Sequence, residues 1–174
     1  KKDSLKSIET YSQGLKYTDG ATKRFIDEIN QLDKDVTVVF YGDHLPGIYS
    51  YKDGKSIIDK NFALGHLTDY FIYNNKNNQK LDYPVVAPYE FTSLAMTQTN
   101  AKVTPFYALM TQVQNELPAL EINRYIDNAR HSGTLMNLSA TQRNLLEDVK
   151  MVQYDIYSNQ NYLNRTTKNP ALRQ

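Results

Sequence analysis

The stretch VTVVFYGDHLPG, residues 36–47, decides the fold of this chain. Every residue from Val36 to Tyr41 is β-branched or aromatic. A continuous run of this kind is typical of a strand that is covered on both faces. The run is followed by a glycine, by Asp43 and His44, and then by a Leu-Pro-Gly turn. The pattern predicts a buried strand with a carboxylate and an imidazole at its carboxyl end.

The sequence before this strand has a helical pattern. Apolar residues recur at spacings of three and four from Leu5 to Leu32, which favours an amphipathic helix. Gly14 and Gly20 mark a potential break in this helix. A helix followed by a buried strand is an α/β signature. We therefore expect an α/β fold with parallel-type strands covered by helices.

Local signals predict three further elements in the middle of the chain. A second strand is expected over residues 69–73, where aromatic and β-branched side chains follow one another. Pro88 is expected to begin a short helix that ends near Asn100. Thr104, followed by a proline, has the residue types of an N-cap and a first helical position, and Pro118 ends the apolar face of that helix.

The last third of the chain contains one strong helix signal. Ser139 and Gln142 have the spacing of a capping box, and apolar residues then recur at helical spacing to about Ser158. Before this helix, the sequence predicts one further strand within residues 119–126 and a loop over 128–137.

Composition excludes several classes of function. The 174 residues carry a net charge of +1 with both signs mixed throughout, which argues against a surface that binds nucleic acid. The chain has no cysteine, and this excludes disulfides and thiolate metal sites. No stretch approaches the roughly 18 consecutive apolar residues of a membrane span, so we expect this chain to be soluble.

Asp43 and His44 are the candidate metal ligands. In open α/β sheets, ligands bind beyond the carboxyl ends of the strands. A carboxylate oxygen and an imidazole nitrogen suit Mn²⁺, Zn²⁺ or Mg²⁺. The alternative is that both residues are solvated side chains of an ordinary turn. Two ligands do not complete a site, because such ions usually take four or more.

His66 is a second candidate, because it lies just before the strand predicted at 69–73. It could face the same crevice as Asp43 and bind substrate there. The alternative is a structural histidine. The third histidine, His131, lies in a polar stretch and is interpreted as a surface residue.

Several stretches together resemble one family. TDGATKRFIDEINQLDKDVTVVFYGDHLPG resembles the C-terminal half of the extracellular catalytic domain of lipoteichoic acid synthase-like phosphoglycerol transferases. These enzymes belong to the sulfatase branch of the alkaline phosphatase superfamily. HLTDYFIYNN, VVAPYEFTSLAMTQTNAKVTPFYALMTQVQNELPAL and YDIYSNQNYL resemble later parts of the same domain, in the same order. The resemblance implies a partial alkaline phosphatase or sulfatase-like α/β unit.

The resemblance also implies a chemistry. Such enzymes use a metal-activated threonine to form a covalent phosphoglycerol intermediate from phosphatidylglycerol, and their Gly-Asp-His motif supplies two ligands, typically for Mn²⁺. That role falls on Asp43 and His44, with Mg²⁺ or Zn²⁺ as alternatives. No threonine here matches the nucleophile's motif, and the family's glutamate ligand also lies upstream. Asp69 stands where the family usually has a proline, and Asn159 replaces the glycine of a turn.

These observations lead to one expectation for the whole chain. Residues 1–163 are expected to form the C-terminal part of a sulfatase-like catalytic domain, and residues 164–174 a frayed polar tail. The parent enzyme would act on a phospholipid headgroup or a glycerol phosphate polymer at the extracellular face of a bacterial membrane. This chain would need the upstream half of the domain and would be inactive alone. The alternatives are a sulfatase or phosphatase-type ester hydrolase and a non-catalytic α/β binding module.

Overall fold

The computed structural model describes residues 2–48, 51–52, 55–56, 61–77 and 79–163. The chain forms two compact units, Lys1–Asn78 and Gln79–Gln174. The predicted frayed tail over residues 164–174 lies outside the described residues. Along the part of the chain that is described, no helix has both the length and the apolar character needed to cross a bilayer.

The first unit is built from two helices and two pairs of strands. In chain order these are α1 (Lys2–Asn30), β1 (Thr37–Tyr41), β2 (Tyr51–Lys52), β3 (Lys55–Ser56), α2 (Phe62–His66) and β4 (Tyr70–Asn74). Strands β2 and β3 form a short antiparallel pair. Strand β1 pairs with β4 over its full length, and the rings of Phe40 and Phe71 stack across the pair with 5.0 Å between their centroids.

The predicted parallel-type pairing is wrong for β1. Strands β1 and β4 run antiparallel, with Thr37 opposite Asn74 and Tyr41 opposite Tyr70. The predicted burial is also incomplete, because Phe40 and Tyr41 are 40% and 49% exposed. A continuous apolar run indicates that a strand is suited to burial, but it carries no information about the direction of the neighbouring strand.

The predicted break in the first helix is also wrong. Helix α1 continues from Lys2 to Asn30 through both Gly14 and Gly20. A glycine inside a helix costs about 1 kcal/mol relative to alanine. Two such penalties are small beside the hydrogen bonds of 29 helical residues, so the helix is weakened and not interrupted.

A pair of asparagines joins the end of α1 to the start of β1. The Asn75 side chain accepts a hydrogen bond from the Val36 backbone N–H at 2.9 Å and donates to the Ile29 carbonyl at 3.0 Å. Asn74 is buried, and its amide donates to the Thr37 hydroxyl at 2.9 Å. These bonds fix where β1 begins, and therefore where it delivers the residues that follow it.

The second unit contains the predicted helices. It is built from a 3₁₀ helix (Pro88–Glu90), α3 (Phe91–Gln98), α4 (Pro105–Glu116), β5 (Ala119–Leu120), β6 (Arg124–Ile126), β7 (Ser132–Thr134), a second 3₁₀ helix (Leu135–Asn137) and α5 (Ala140–Tyr157). The Thr104 side chain caps α4, and Ser139 and Gln142 form the predicted capping box of α5. The core cluster lies between α4 and α5 and is formed by Val113, Leu117, Leu138 and Leu145.

The strand and loop predictions before α5 need correction. Residues 119–126 form two strands joined by a tight turn, and β7 lies within the predicted loop, giving an antiparallel sheet in the order β5-β6-β7. Gly133 packs against the ring of Tyr125, where an added Cβ would lie 2.6 Å from a ring atom. Strands of two or three residues are too short to show a periodicity that a sequence pattern can detect.

Candidate metal centre

Asp43 and His44 lie directly beyond the carboxyl end of β1, as predicted. The backbone N–H of His44 donates to Asp43 Oδ1 at 2.9 Å. Asp43 Oδ2 lies 3.5 Å from His44 Nε2. The side chains of Asp43 and His44 are 82% and 78% exposed. The turn therefore presents a carboxylate oxygen and an imidazole nitrogen side by side on an open surface.

The hydrogen bonding of His44 determines which of its nitrogens can bind a metal. His44 Nδ1 lies 2.8 Å from the carbonyl oxygen of Leu45. A carbonyl oxygen can only accept, so we assign the ring proton to Nδ1, which leaves the lone pair on Nε2. Metal-binding histidines commonly donate their second ring N–H to a carbonyl or carboxylate in this way.

The spacing of these two atoms fits a shared cation. Two ligands bonded to one divalent ion at about 2.0–2.2 Å lie roughly 3.0–3.5 Å apart, depending on the coordination geometry. Asp43 Oδ2 and His44 Nε2 are 3.5 Å apart, with no rearrangement of either side chain. The donor set of one hard oxygen and one borderline nitrogen suits Mn²⁺, Mg²⁺ or Zn²⁺.

Gly42 lies against Thr68. The sequence pattern did not identify this threonine as part of the site. The Thr68 hydroxyl donates to the Gly42 carbonyl at 2.7 Å, and the Gly42 N–H donates to the Asp69 carbonyl at 3.1 Å. A Cβ on Gly42 would lie 3.0 Å from Thr68 Cβ. The segment that enters β4 therefore lies close against Gly42, and it anchors the backbone just before Asp43.

His66 ends α2, four residues before β4 begins. Because β1 and β4 are antiparallel, the start of β4 lies beside the end of β1, so His66 precedes the same edge that carries Asp43. Its role in substrate binding stays a prediction. Within the described ranges, no three His, Asp or Glu side chains are grouped so as to hold a metal ion together. Asp43 and His44 therefore stay a pair of candidate ligands.

The third histidine forms a similar pair at a distant point in the sequence. His131 Nδ1 lies 3.4 Å from Asp127 Oδ2, and the His131 N–H donates to Asp127 Oδ1. This pair closes the turn between β6 and β7. It provides an internal comparison for Asp43 and His44, because the distances are alike but the hydrogen bonding of the ring differs.

The sulfatase family model matches residues 1–115, two thirds of the chain. The chain therefore belongs to the sulfatase family, and the predicted resemblance is confirmed. The match includes Asp43, His44 and His66. Enzymes of this sulfatase and alkaline phosphatase-like group generally use a divalent metal ion.

One solved structure supports the same fold. The Streptococcus pyogenes phosphoglycerol transferase GacH, solved in complex with sn-glycerol-1-phosphate, is 35% identical and superposes with a TM-score of 0.61 over 79% of this chain. The superposition confirms the predicted fold class, in which helices and strands are mixed. The chain spans 31% of the GacH chain.

Two proteins of Rhizobium meliloti (strain 1021) are also similar. The capsular polysaccharide biosynthesis protein RkpI is 44% identical over 46 residues, which are 26% of this chain and 9% of RkpI. A protein described as acting in cyclic beta-1,2-glucan modification is 27% identical over 110 residues, 58% of this chain and 17% of that protein. The chain thus spans less than a fifth of either relative.

Proposed function

We propose that this chain is the C-terminal portion of a metal-dependent phosphoglycerol transferase of the lipoteichoic acid synthase type. In this proposal Asp43 and His44 hold a divalent metal ion, Mn²⁺ in the first instance with Mg²⁺ or Zn²⁺ as alternatives. The observation that carries the proposal is the 3.5 Å spacing of Asp43 Oδ2 and His44 Nε2. The 35% identity to a phosphoglycerol transferase supports transfer as the reaction class.

The residues of the chain have distinct tasks in this proposal. Bound there, a divalent ion would polarise phosphoryl oxygens and lower the pKa of the attacking hydroxyl. Leu45 keeps the His44 ring proton on Nδ1, so that Nε2 stays available. The His44 N–H restrains Asp43 Oδ1, which leaves Oδ2 to face Nε2. Thr68 fixes the carbonyl of Gly42 and with it the direction in which the chain leaves β1.

The remaining components would come from the upstream half of the same catalytic domain. We propose that this half supplies the threonine nucleophile and the further metal ligands, and that the present chain is inactive without it. The substrate would be a phosphatidylglycerol-like headgroup and the acceptor a glycerol phosphate polymer or another glycan. The parent protein would work at the extracellular face of the bacterial membrane. The coverage of 31% of GacH leaves room for such a half.

The decisive experiment measures Mn²⁺ binding by calorimetry to this chain and to a form extended upstream. Tight binding is expected in the extended form alone, because two ligands are too few for a stable site. Asp43→Ala or His44→Ala should abolish that binding. His131→Ala is the matched control, since it removes the other exposed histidine paired with an aspartate. Mn²⁺ binding that is unchanged by Asp43→Ala in both forms would exclude the proposed site.

An ester hydrolase of the sulfatase or phosphatase type is the second candidate, favoured by the family match itself. The two reactions differ in what accepts the group. Incubating the extended enzyme with phosphatidylglycerol and a glycerol acceptor separates them. Glycerol phosphate on the acceptor indicates transfer, and free glycerol phosphate alone indicates hydrolysis. If the extended protein shows neither of these activities and does not bind metal, it is a non-catalytic binding module.

A further inference from the structure

The second unit contains a buried carboxyl group that the proposed metal chemistry does not use. Glu90 is the last residue of the 3₁₀ helix before α3, and its side chain is fully buried at 0% exposure. Both carboxyl oxygens are inaccessible to solvent and have no hydrogen-bond donor among the described residues. An ionised carboxylate without a partner is among the most costly groups to bury.

Two other buried side chains in this unit also have a polar atom without a hydrogen-bond partner among the described residues. Ser93 Oγ and Gln114 Oε1 are inaccessible and, within the described part of the chain, have no hydrogen-bond partner. Gln114 donates its amide N–H to the Val85 carbonyl at 2.9 Å, and its amide oxygen is left without a donor among the described residues. A carboxylate and an amide oxygen both accept and do not donate.

The two helices that contact the Glu90 segment, α3 and α4, carry no lysine, arginine or histidine. Helix α3 carries no titratable side chain, and α4 carries Tyr107 and Glu116, of which Glu116 is exposed at the helix end. The neighbouring Tyr89 donates its hydroxyl to the Leu117 carbonyl at 2.9 Å. Burial, and then the nearby Glu90 charge, raise the pKa of Tyr89, so its phenol stays neutral.

We propose that Glu90 is buried in its protonated form, because both of its carboxyl oxygens are inaccessible and have no hydrogen-bond donor among the described residues. The second unit is then stabilised by acid and loses stability when this proton is released. The inference concerns the unit Gln79–Gln174 and does not depend on the metal site of the first unit.

The direction of the pH effect follows from linkage. Burial raises the pKa of Glu90 from 4.5 to about 7. Between these values the folded state holds a proton that the unfolded state has released, so stability falls as the pH rises through this window. Above pH 7 both states are ionised and the loss is complete.

The test is hydrogen exchange of α3 and α4 peptides between pH 5 and 8 in the intact chain, corrected for the intrinsic pH dependence of exchange. Glu90→Gln keeps the shape and the neutral charge, and Glu116→Gln is the control at an exposed glutamate of the same unit. The opening constant of the wild type and of the control should rise by about tenfold to a hundredfold relative to Glu90→Gln. Parallel profiles in wild type and Glu90→Gln would overturn the proposal.

A second measurement on the wild type keeps the proposal testable if Glu90→Gln fails to fold. Carboxyl-carbon NMR of glutamate-labelled protein should show a glutamate that titrates near pH 7 and whose signal is absent from Glu90→Gln where that variant folds. If every glutamate titrates in the ordinary range, the proposal is wrong. It is equally wrong if Ca²⁺ or Mg²⁺ stabilises the unit at pH 8 and EDTA reverses this, because a cation would then be the counter-charge.

Discussion

Asp43 in the first unit and Glu90 in the second are carboxylates in opposite surroundings. Asp43 follows a strand and is 82% exposed, with His44 beside it. Glu90 precedes a helix and is fully enclosed. An exposed carboxylate can remain charged until an external cation binds, whereas an enclosed one must be neutralised within the fold. A carboxyl group is thus suited to bind a cation in the first unit and to stay protonated inside the fold in the second.

The largest effect is expected from removing the exposed carboxylate in the catalytically complete protein. Asp43→Ala in the upstream-extended form should lower transferase activity by roughly 100-fold or more, because metal stabilisation of phosphoryl charge is worth several kcal/mol. Initial rates at saturating Mn²⁺ measure this loss. The His131→Ala enzyme should keep its activity. If the Asp43→Ala enzyme has normal rates, Asp43 is not a metal ligand in the reaction, and its contrast with Glu90 has no functional basis.

A cavity in the hydrophobic core of the second unit should have the next largest effect. Leu117 is 0% exposed and packs with Val113, Leu138 and Leu145. Leu117→Ala should lower the free energy of unfolding of the second unit by about 2–5 kcal/mol, since it removes apolar contacts and leaves a cavity. Urea denaturation provides the measurement. The matched control, Ile122→Ala, alters a side chain that is 87% exposed and should change stability by less than about 0.5 kcal/mol.

The smallest effect is expected from changing Gly42, which fixes the backbone just before Asp43. Gly42→Ala would place a methyl group 3.0 Å from Thr68 Cβ. The segments that contain Gly42 and Thr68 must therefore move apart at the end of β1. We expect a loss of about 1–3 kcal/mol from this overpacking. Gly47→Ala is the control, because a Cβ there meets nothing within 4 Å. Equal stabilities of the two variants, measured by thermal denaturation, would show that Thr68 does not constrain this turn.

Local features of the fold could be predicted from the sequence, and features that depend on distant contacts could not. The caps at Thr104 and Ser139 were predicted because a cap is a contact between residues three apart. Asn159 adopts φ 56°, the left-handed conformation expected where the family has a glycine. The antiparallel pairing of β1 depends on a partner strand about 30 positions away, and no periodicity within β1 records its direction.

The same distinction holds for the candidate site. Asp43 and His44 were identified from the end of a strand and from a family resemblance, both of which can be read from adjacent residues. Thr68 was missed because its importance comes from a hydrogen bond to Gly42 across 26 positions. Asn74 was not identified either, because its burial comes from an amide hydrogen bond to Thr37, 37 positions away at the start of β1. Glu90 gave no signal at all, since its burial depends on how α3 and α4 pack.

The register of β1 and β4 also has a consequence for how fast the candidate site assembles. Tyr41 and Tyr70 are 29 positions apart, whereas Ile126 and Ser132 in the β6-β7 pair are 6 apart. Closing the longer loop costs about 1.4 kcal/mol more in chain entropy, which corresponds to roughly a tenfold slower encounter. The local hairpin of the second unit should therefore form early during folding. The strand end that carries Asp43 and His44 should become ordered later than this hairpin.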